Sequence, residues 1–336
     1  MKLLETPLKI LPKNSWIWNN NSEQETMSRH TPVMTEEVIS YLQLSPGKVI
    51  VDCTVGEGGH SEGVLRKITP GGQLIGIDQD DDALSIARLR LSQFDGAFTL
   101  VHSNFQNIED ILRQLQINRV DGILFDLGVS TQQLINPERG FSFSLDGPLN
   151  MRMDKRGQIT AFDLVNNLSE EEIANIIYTF GQERYSRRIA RKIMETRAKC
   201  CISTTQELAR IILEAVPVRE RYKRIHPATK TFMALRIAVN HELEVLHTAI
   251  VRAVNLLNPG GRICVISFHS LEDRIVKHEF KRQVKNGVLR LINKKPLIPQ
   301  DEEIRINPKS RSAKFRVAEK QGDADKKEIQ WNLKKL

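Results

Sequence analysis

The chain has 336 residues, of which 40% are hydrophobic and 27% are charged, a composition typical of a globular enzyme with one or two domains. Its longest apolar runs, such as residues 263–266, have the length of a strand, and this excludes a membrane-spanning segment. The net charge of +8 favours a polyanionic partner, because lysine and arginine side chains release counterions from phosphates.

The four cysteines exclude two further classes of protein. None lies in a C-x-x-C pair, so neither the usual zinc spacing nor a disulfide framework is present. We therefore expect a cytoplasmic protein that holds no metal. Residues 1–28 lack the apolar core of a signal peptide, and the sequence predicts a disordered extension or an upstream start codon assigned in error. A flexible tail is predicted for residues 319–336.

The predicted elements alternate from residue 48 onward. Short apolar runs predict strands at residues 49–51, 74–77, 98–101 and 120–125, and helical stretches between them cover residues 60–67, 83–91 and 108–115. Strands and helices that alternate with such short links predict a doubly wound parallel sheet with helices on both faces.

The alternation stops for about a hundred residues and then resumes. Helices are predicted at residues 169–180 and 184–197, with no strand-type run between residues 136 and 222. A long helical pattern at residues 230–257 then leads into a strand at residues 262–267. This order predicts a helical domain inserted into an α/β domain.

A glycine-rich turn follows the first predicted strand. Gly56, Gly58 and Gly59 would bring backbone N–H groups close to a ligand at the start of a helix. Ser61 stands where the dinucleotide motif G-x-G-x-x-G requires its last glycine, so no pyrophosphate is demanded. The turn favours an adenosine ligand with a short charged tail; a tight strand-to-helix turn without a ligand is the alternative.

Side chains at the ends of the next strands are further candidates. Asp78 could accept hydrogen bonds from both ribose hydroxyls of a nucleoside, or it could cap a helix together with the acidic residues that follow it. Phe105 could flank an adenine or be an ordinary buried loop aromatic. Asp126 ends the fourth strand, where group-transfer chemistry is located in this architecture, and its alternative role is to cap a turn.

Five segments carry a resemblance to a known family. They read Asp-Leu-Gly-Val-Ser at 126–130, Gly-Phe-Ser-Phe at 140–143, Gly-Pro-Leu-Asn-Met-Arg-Met-Asp at 147–154, His-Pro-Ala-Thr-Lys-Thr-Phe at 226–232 and Ser-Phe-His-Ser-Leu-Glu-Asp at 267–273. In this order they resemble the bacterial small-subunit ribosomal RNA (cytosine-N4) methyltransferases, called H-type or MraW-like. The resemblance runs from about residue 29 to residue 317.

The resemblance implies a class I methyltransferase that depends on S-adenosylmethionine and acts on a cytidine in the decoding region of 16S ribosomal RNA, within the small ribosomal subunit. The methyltransferase domain would comprise residues 29–137 and 226–318, and the helical insert residues 138–225. Asn150, Lys230 and Met233 depart from the family pattern, which affects fine contacts with the substrate. The implied cofactor-binding residues are Gly58, Gly59, His60, Asp78, Phe105, Asp126 and Gln133, and Asp126 is also the candidate catalytic residue.

Basic side chains of the insert are candidates to hold RNA phosphates, although each could equally be part of a solvated helix face. A second basic stretch covers residues 274–316. Ser270 to Asp273 is interpreted as a capping box at a helix start, and His269 beside it could contact substrate or be structural. The candidate RNA contacts in the insert are Arg184, Arg187, Arg188, Arg191, Lys192, Arg219, Arg221, Lys223 and Arg224.

The rival functions are a nicotinamide-dependent oxidoreductase and an RNA-binding assembly factor without catalysis. For the oligomeric state, the sequence allows both a monomer and a homodimer.

Overall fold

The computed structural model describes residues 32–322. The predicted N-terminal extension, residues 1–28, lies outside the described residues, as does most of the predicted C-terminal tail. The described part of that tail continues a strand to Lys320, so regular structure extends further than the sequence suggested.

Within the described residues, seven strands form one sheet with the order β3-β2-β1-β4-β5-β7-β6. The first five of these pair in parallel, whereas β7 runs antiparallel to both β5 and β6. The predicted doubly wound α/β sheet is confirmed, but the antiparallel strand β7 and the edge strand β6 were not predicted. The strands are β1 (Val49–Asp52), β2 (Gln73–Asp78), β3 (Phe98–His102), β4 (Val120–Asp126), β5 (Leu257–Ser267), β6 (Leu289–Leu291) and β7 (Lys314–Lys320).

Fourteen α-helices occur in the part of the chain that the structure describes. Those that connect or cover the strands are α1 (Thr35–Tyr41), α2 (Gly59–Ile68), α3 (Asp81–Leu91), α4 (Ile108–Gln114), α12 (Glu242–Leu256), α13 (Ser270–Lys285) and α14 (Asp301–Ile306). The others lie between β4 and α12 and are α5 (Thr131–Ile135), α6 (Ala161–Asn167), α7 (Glu170–Gly181), α8 (Ser186–Arg197), α9 (Thr205–Ala215), α10 (Val218–Arg221) and α11 (Ala228–Asn240).

Two apolar clusters cover the two faces of the sheet. Val51 and Ile75 point to one face, where they pack with residues of α4, α12 and α13. Ile50 and Leu74 point to the other face and pack with residues of α1 and α2. Successive residues of β1 and β2 therefore serve opposite layers, as expected of strands that are buried on both sides.

The helices between β4 and α12 have a hydrophobic cluster of their own. Ile177, Ile193 and Ile212, from α7, α8 and α9, are fully buried in it. No strand interrupts residues 136–222, as predicted. Phe232 and Leu235 of α11 also belong to this cluster, although the sequence grouped their segment with the methyltransferase domain. The domain boundaries derived from the resemblance stay a prediction.

The long helix predicted at residues 230–257 is two helices. His241 separates α11 from α12 with a φ of 51°, in the left-handed region, and this ends the first helix. The preceding Asn240 donates a hydrogen bond to the carbonyl oxygen of Met151 at 2.8 Å and accepts one from the N–H of Met153 at 2.7 Å. The break lets α11 pack in the helical cluster while α12 packs under the sheet.

The basic C-terminal stretch is partly structural. Arg316 on β7 is buried, and its Nε donates a hydrogen bond to Asp273 Oδ1 at 2.7 Å. This arginine is therefore not available as an RNA contact. Across residues 32–322, the helices are too short or too polar to cross a lipid bilayer.

Candidate active site at the carboxyl ends of the strands

Three carboxylates end three adjacent strands of the parallel sheet. Asp52, Asp78 and Asp126 are the last residues of β1, β2 and β4, and β1 lies between the other two strands. Since parallel strands end at the same edge, the segments that follow these residues converge there, which is where open α/β sheets bind their ligands.

The glycine-rich turn after β1 is tied directly to the end of β2. The N–H of Gly56 donates to Asp78 Oδ2, and the N–H of Asp80 donates to Asp78 Oδ1, both at 2.9 Å. Gly58 precedes α2 with a φ of 80°, and a Cβ there would lie 3.4 Å from the backbone of Ala87 on α3. The turn is thus held close to both β2 and α3, and it requires glycine at position 58.

Asp78 keeps capacity for a ligand. A carboxylate has about four acceptor positions, and the two backbone N–H groups use only part of them. The side chain is half-buried, and burial raises the pKa of Asp78 to about 6, although the backbone hydrogen bonds oppose that shift. Binding of the ribose hydroxyls by Asp78 stays a prediction, and the geometry leaves room for it.

Phe105 follows β3 at the start of a short 3-10 helix, Phe105–Asn107. Its ring meets that of Phe125 edge to face, with centroids 5.5 Å apart, so part of the ring belongs to the core. Asn104 donates a hydrogen bond to the side chain of Gln79 at 3.0 Å, which links this loop to the residue after Asp78. Phe105 therefore stands beside the predicted ribose site, and its contact with adenine stays a prediction.

Gln133 has a structural role that the sequence did not suggest. It forms a capping box with Ser130 at the start of α5, and its Nε2 donates to Asp80 Oδ2 at 2.7 Å. The same oxygen accepts a hydrogen bond from Nη1 of Arg139 at 2.7 Å. The predicted cofactor residue Gln133 thus holds the loop after β4 against the loop after β2.

Arg139 is the main residue of this region that sequence reasoning missed. It is 5% exposed, and its Nη2 donates to the carbonyl oxygens of Arg152 and Met153 at 3.1 and 2.9 Å. Asp80 was interpreted as part of an acidic first turn, and it does cap α3 by accepting from the N–H of Asp82. The only signal in the sequence was the position of Arg139 within a motif-rich loop.

Asp126 lies among other ionisable groups. Its backbone N–H donates to Thr54 Oγ1 at 2.6 Å, and its Oδ2 lies 3.4 Å from Nδ1 of His60. Burial raises the pKa of the Asp126 carboxyl well above its usual range, and the carboxylates of Asp52 and Glu272 raise it further. Within residues 32–322, the buried Oδ1 has no hydrogen-bond partner.

Asp52, at the end of the adjacent strand β1, is an acidic neighbour of Asp126. It is 1% exposed and accepts hydrogen bonds from Ser61 Oγ at 2.7 Å and from the N–H of Thr54 at 3.2 Å. Burial raises the pKa of Asp52 to about 6, although these two hydrogen bonds oppose that shift. Asp52 therefore anchors the start of α2, whereas Asp126 Oδ1 has no hydrogen-bond donor in the part of the chain from residue 32 to residue 322.

The predicted capping box at Ser270 to Asp273 is displaced by one residue. His269 is the N-cap of α13: its Nδ1 accepts from the N–H of Glu272 at 3.3 Å, and Glu272 Oε2 accepts from the N–H of His269 at 3.2 Å. Burial alone would raise the pKa of Glu272, but the interactions with His269 and Arg236 lower it. His269 thus has at least a structural role.

Glu242, His269 and Glu272 form a cluster whose candidate ligand atoms lie within 4.8 Å of one another. Because Nδ1 of His269 accepts a backbone hydrogen bond, Nε2 carries the proton of the neutral ring and cannot bind a metal ion. Arg236 also donates to both carboxylate oxygens of Glu242, at 2.7 and 2.8 Å. The cluster is therefore a network of hydrogen bonds and ion pairs.

Several of the predicted RNA-contacting cations of the insert are engaged in ion pairs. Arg184 and Lys223 meet Glu220 at 2.6 and 2.7 Å. Arg187 and Arg188 are exposed on α8. A cavity of about 370 Å³ adjoins the paired group, and the residues that line it include Glu183, Tyr185, Glu220, Lys223, His226 and Lys230.

The residues at the strand ends fit an adenosine ligand with a charged tail. Glycines approach closely at the first turn, Asp78 has acceptor capacity left, and the buried Asp126 Oδ1 needs a donor. A zwitterionic amino-acid tail or a substrate amine would supply such a donor.

Comparison with known proteins identifies the family of this chain. A model of the MraW methylase family matches residues 27–321. A ribosomal RNA small subunit methyltransferase H from Brevibacillus brevis is 47% identical over 306 residues, covering 87% of this chain and 98% of the relative. A protein of the same name from Paenibacillus sp. is 46% identical over 315 residues, covering 88% of this chain and 100% of the relative.

Among solved structures, an rRNA methylase from Streptococcus thermophilus is similar with a TM-score of 0.40 and 11% identity, covering 86% of this chain and 94% of that chain. The family assignment rests on the sequence matches. The predicted enzyme class, a methyltransferase with S-adenosylmethionine as cofactor, is confirmed by them. From its glycine-rich turn to its last strand, the chain belongs to the MraW methylase family.

Proposed function

We propose that this protein transfers a methyl group from S-adenosylmethionine to N4 of a cytidine in the decoding region of 16S ribosomal RNA, in the cytoplasm and within the small ribosomal subunit. Membership of the MraW methylase family and the names of the relatives support the reaction and the class of substrate. The observation that carries the proposal is the buried Oδ1 of Asp126, an acceptor without a donor among residues 32–322.

An acceptor at this position suits an amine substrate. The lone pair of cytosine N4 is delocalised into the ring, so the amine is a poor nucleophile and must be oriented accurately. When bound, the cofactor supplies a methyl group that is already activated by its sulfonium. Asp126 would accept a hydrogen bond from the N4 amine and hold its lone pair in line with that methyl group.

The other strand ends would position the cofactor. Asp78 would accept from the ribose hydroxyls, Phe105 would flank the adenine, and the turn with Gly58 and Gly59 would allow the tail to pass close to the backbone. Gln133 would act through Asp80, since their hydrogen bond joins the loops after β2 and β4.

The helical insert, residues 138–225, would hold the RNA. The target base must unstack from its neighbours to reach the methyl group. Binding of the flanking nucleotides requires cations that contact the phosphates and flat side chains on which the bases stack. The cavity beside Glu220 combines Tyr185 and His226 with Lys223 and Lys230. Exposed ion pairs such as Arg184–Glu220 are weak, so phosphates could compete for these cations.

Transfer of labelled methyl groups from S-adenosylmethionine tests the proposal. Purified small ribosomal subunits and naked 16S RNA would be compared as substrates, with nucleoside analysis of the product. We expect label on N4 of a cytidine in the decoding region. Label on another nucleoside would refute the proposed target. Cofactor binding without label on any RNA would favour a non-catalytic assembly factor.

Asp126→Asn tests the role of the carboxylate. The amide keeps the shape but cannot take up a proton, and we expect turnover at saturating S-adenosylmethionine to fall about 100-fold or more. Asp81→Asn is the matched control, because its side chain is 73% exposed near the same edge. Full turnover in Asp126→Asn with unchanged cofactor affinity would contradict the role.

A further inference from the structure

His60 lies between two oxygen atoms from different elements. Its Nε2 is 2.9 Å from the carbonyl oxygen of Val33, in a buried position before α1. A carbonyl oxygen can only accept a hydrogen bond, so Nε2 must carry a proton. The ring is 5% exposed, and Val33 itself is buried, so this contact is shielded from water.

The other ring nitrogen faces the candidate catalytic carboxylate. His60 Nδ1 lies 3.4 Å from Asp126 Oδ2. If the ring is neutral with its proton on Nε2, Nδ1 presents a lone pair. An ionised carboxylate would then place a second lone pair opposite the first, which is repulsive in a site of low dielectric. A proton between Nδ1 and Oδ2 removes this conflict, whether it is bonded to the nitrogen or to the oxygen.

The surroundings favour retention of that proton. Asp126 faces the carboxylates of Asp52 on β1 and Glu272 on α13, and both disfavour its ionised form. The positive charge of Arg236 on α11 is directed to Glu242 and to Glu272 rather than to Asp126. His60 is the second residue of α2, where the helix dipole opposes a positive ring. Neither partner is therefore stable as an isolated ion, and sharing one proton satisfies both.

We propose that His60 is a positioning residue for Asp126: anchored on the Val33 carbonyl oxygen, it shares one proton with Oδ2 and so leaves Oδ1 as the acceptor that meets the substrate amine. This inference rests on the proposed function, because it assigns a partner to the carboxylate that the methylation reaction would use. In the reaction the C–N bond forms as the C–S bond breaks, and the N4–H proton then passes to Oδ1. The electron pair of that N–H bond stays on N4, and the shared proton moves fully to Nδ1, so that Asp126 ends the step with one proton, on Oδ1.

Two amide substitutions separate the two contacts of the ring, because each amide nitrogen lies near the position of one ring nitrogen. His60→Asn places an amide nitrogen near the position of Nδ1, so it can still donate to Asp126 Oδ2 but no longer reaches Val33. His60→Gln places its amide near the position of Nε2, so it keeps the Val33 contact and loses Asp126. If the ring served only to pack α2 against the segment before α1, Gln would be the better replacement. If it positions Asp126, Asn would be the better one.

The first measurement follows the ring nitrogens of His60 by ¹⁵N NMR from pH 5 to pH 10 in the full-length protein without substrate. We expect Nε2 to remain protonated throughout, and Nδ1 to titrate in the wild type but not in Asp126→Asn, whose amide can donate to Nδ1. A neutral ring protonated on Nδ1, or a Nδ1 titration unchanged in Asp126→Asn, would overturn the proposal. This result does not depend on which RNA is methylated, so it is distinguishable from failure of the proposed function.

The second measurement is the pH profile of turnover. We expect the turnover of His60→Asn to exceed that of His60→Gln by about tenfold or more. This ratio corresponds to the loss of one hydrogen bond to a charged group in a buried site. In His60→Asn the acidic limb should move to lower pH by about one unit, because a neutral N–H donor favours the ionised carboxylate. Equal activity of the two variants with an unshifted limb would refute the assignment.

Discussion

Asp78→Asn is the substitution that tests most directly whether the strand ends form the cofactor site. The two carboxylate oxygens accept from the N–H groups of Gly56 and Asp80, and the same carboxylate would accept from two ribose hydroxyls. A hydrogen bond to a charged group contributes about 1.5–3 kcal/mol. An asparagine retains one oxygen as an acceptor, so we expect the variant to lose about 3 kcal/mol of binding free energy, about a 150-fold rise in Kd.

The pH dependence of binding gives a second, independent signature. Burial raises the pKa of Asp78 to about 6 in the ligand-free protein, whereas hydroxyl donors favour the ionised carboxylate. Below pH 6 the protonated carboxyl must release its proton before it can accept both bonds, so binding releases protons there. The affinity should then fall about tenfold for each pH unit below 6 and be constant above it. The variant should lack the part of this dependence that Asp78 contributes.

Isothermal titration calorimetry with S-adenosylhomocysteine between pH 5 and pH 8, in two buffers of different ionisation enthalpy, measures both the affinity and the proton release. Asp81→Asn is the control, since its exposed carboxylate lies outside the glycine turn and should change affinity less than about twofold. An Asp78→Asn variant that binds within about threefold of the wild type would refute the assignment of Asp78. A wild-type affinity that does not change below pH 6 would refute the role of its ionisation.

Two further predictions concern the loops that surround the site. Arg139→Met removes a buried cation and leaves the buried carboxylate of Asp80 without its ion-pair partner. We therefore expect the free energy of unfolding to fall by about 3–5 kcal/mol in denaturant titrations. Arg156→Met, at an arginine that is 60% exposed, should cost less than about 1 kcal/mol, and an equal loss in both would contradict the argument. Gly140→Ala should cost about 3 kcal/mol or more, because the residue has a φ of 66° and the new methyl group would collide with a backbone carbonyl oxygen. Gly96→Ala, with a φ of 80° and open space around it, should cost only about 1 kcal/mol, and a thermal melt that ranks the two the other way would refute this reasoning.

The sequence determined the parts of this protein that depend on local patterns. Apolar runs of strand length that end at Asp52, Asp78 and Asp126 predicted three strand ends correctly, because burial on both faces of a parallel sheet demands continuous apolar residues. The glycine turn and the motif segments identified the family. These features lie within a few residues of one another along the chain, so no tertiary contact is needed to recognise them.

The misses have a common physical cause. His241 breaks a helical pattern whose apolar spacing continues on both sides, and the preceding Asn240 is held by hydrogen bonds to Met151 and Met153, which only the fold brings near it. The sequence showed the segment of β7 only as part of a basic stretch. Its Arg316 forms an ion pair with Asp273, which lies 43 positions away in the chain, so the pairing could not be recognised from the sequence. Charge in the sequence does not reveal whether its partner is a phosphate or a carboxylate of the same chain.

Only the tertiary structure decided how the candidate site is supported. Arg139 meets Asp80 across 59 positions, and Gln133 meets the same carboxylate across 53. Val33, His60 and Asp126 come from three separate parts of the chain, so neither the tautomer of the ring nor its contact with the carboxylate could be read from spacing. A sequence lists ionisable side chains, but their protonation depends on which of them face one another away from water, and that is a property of the folded chain.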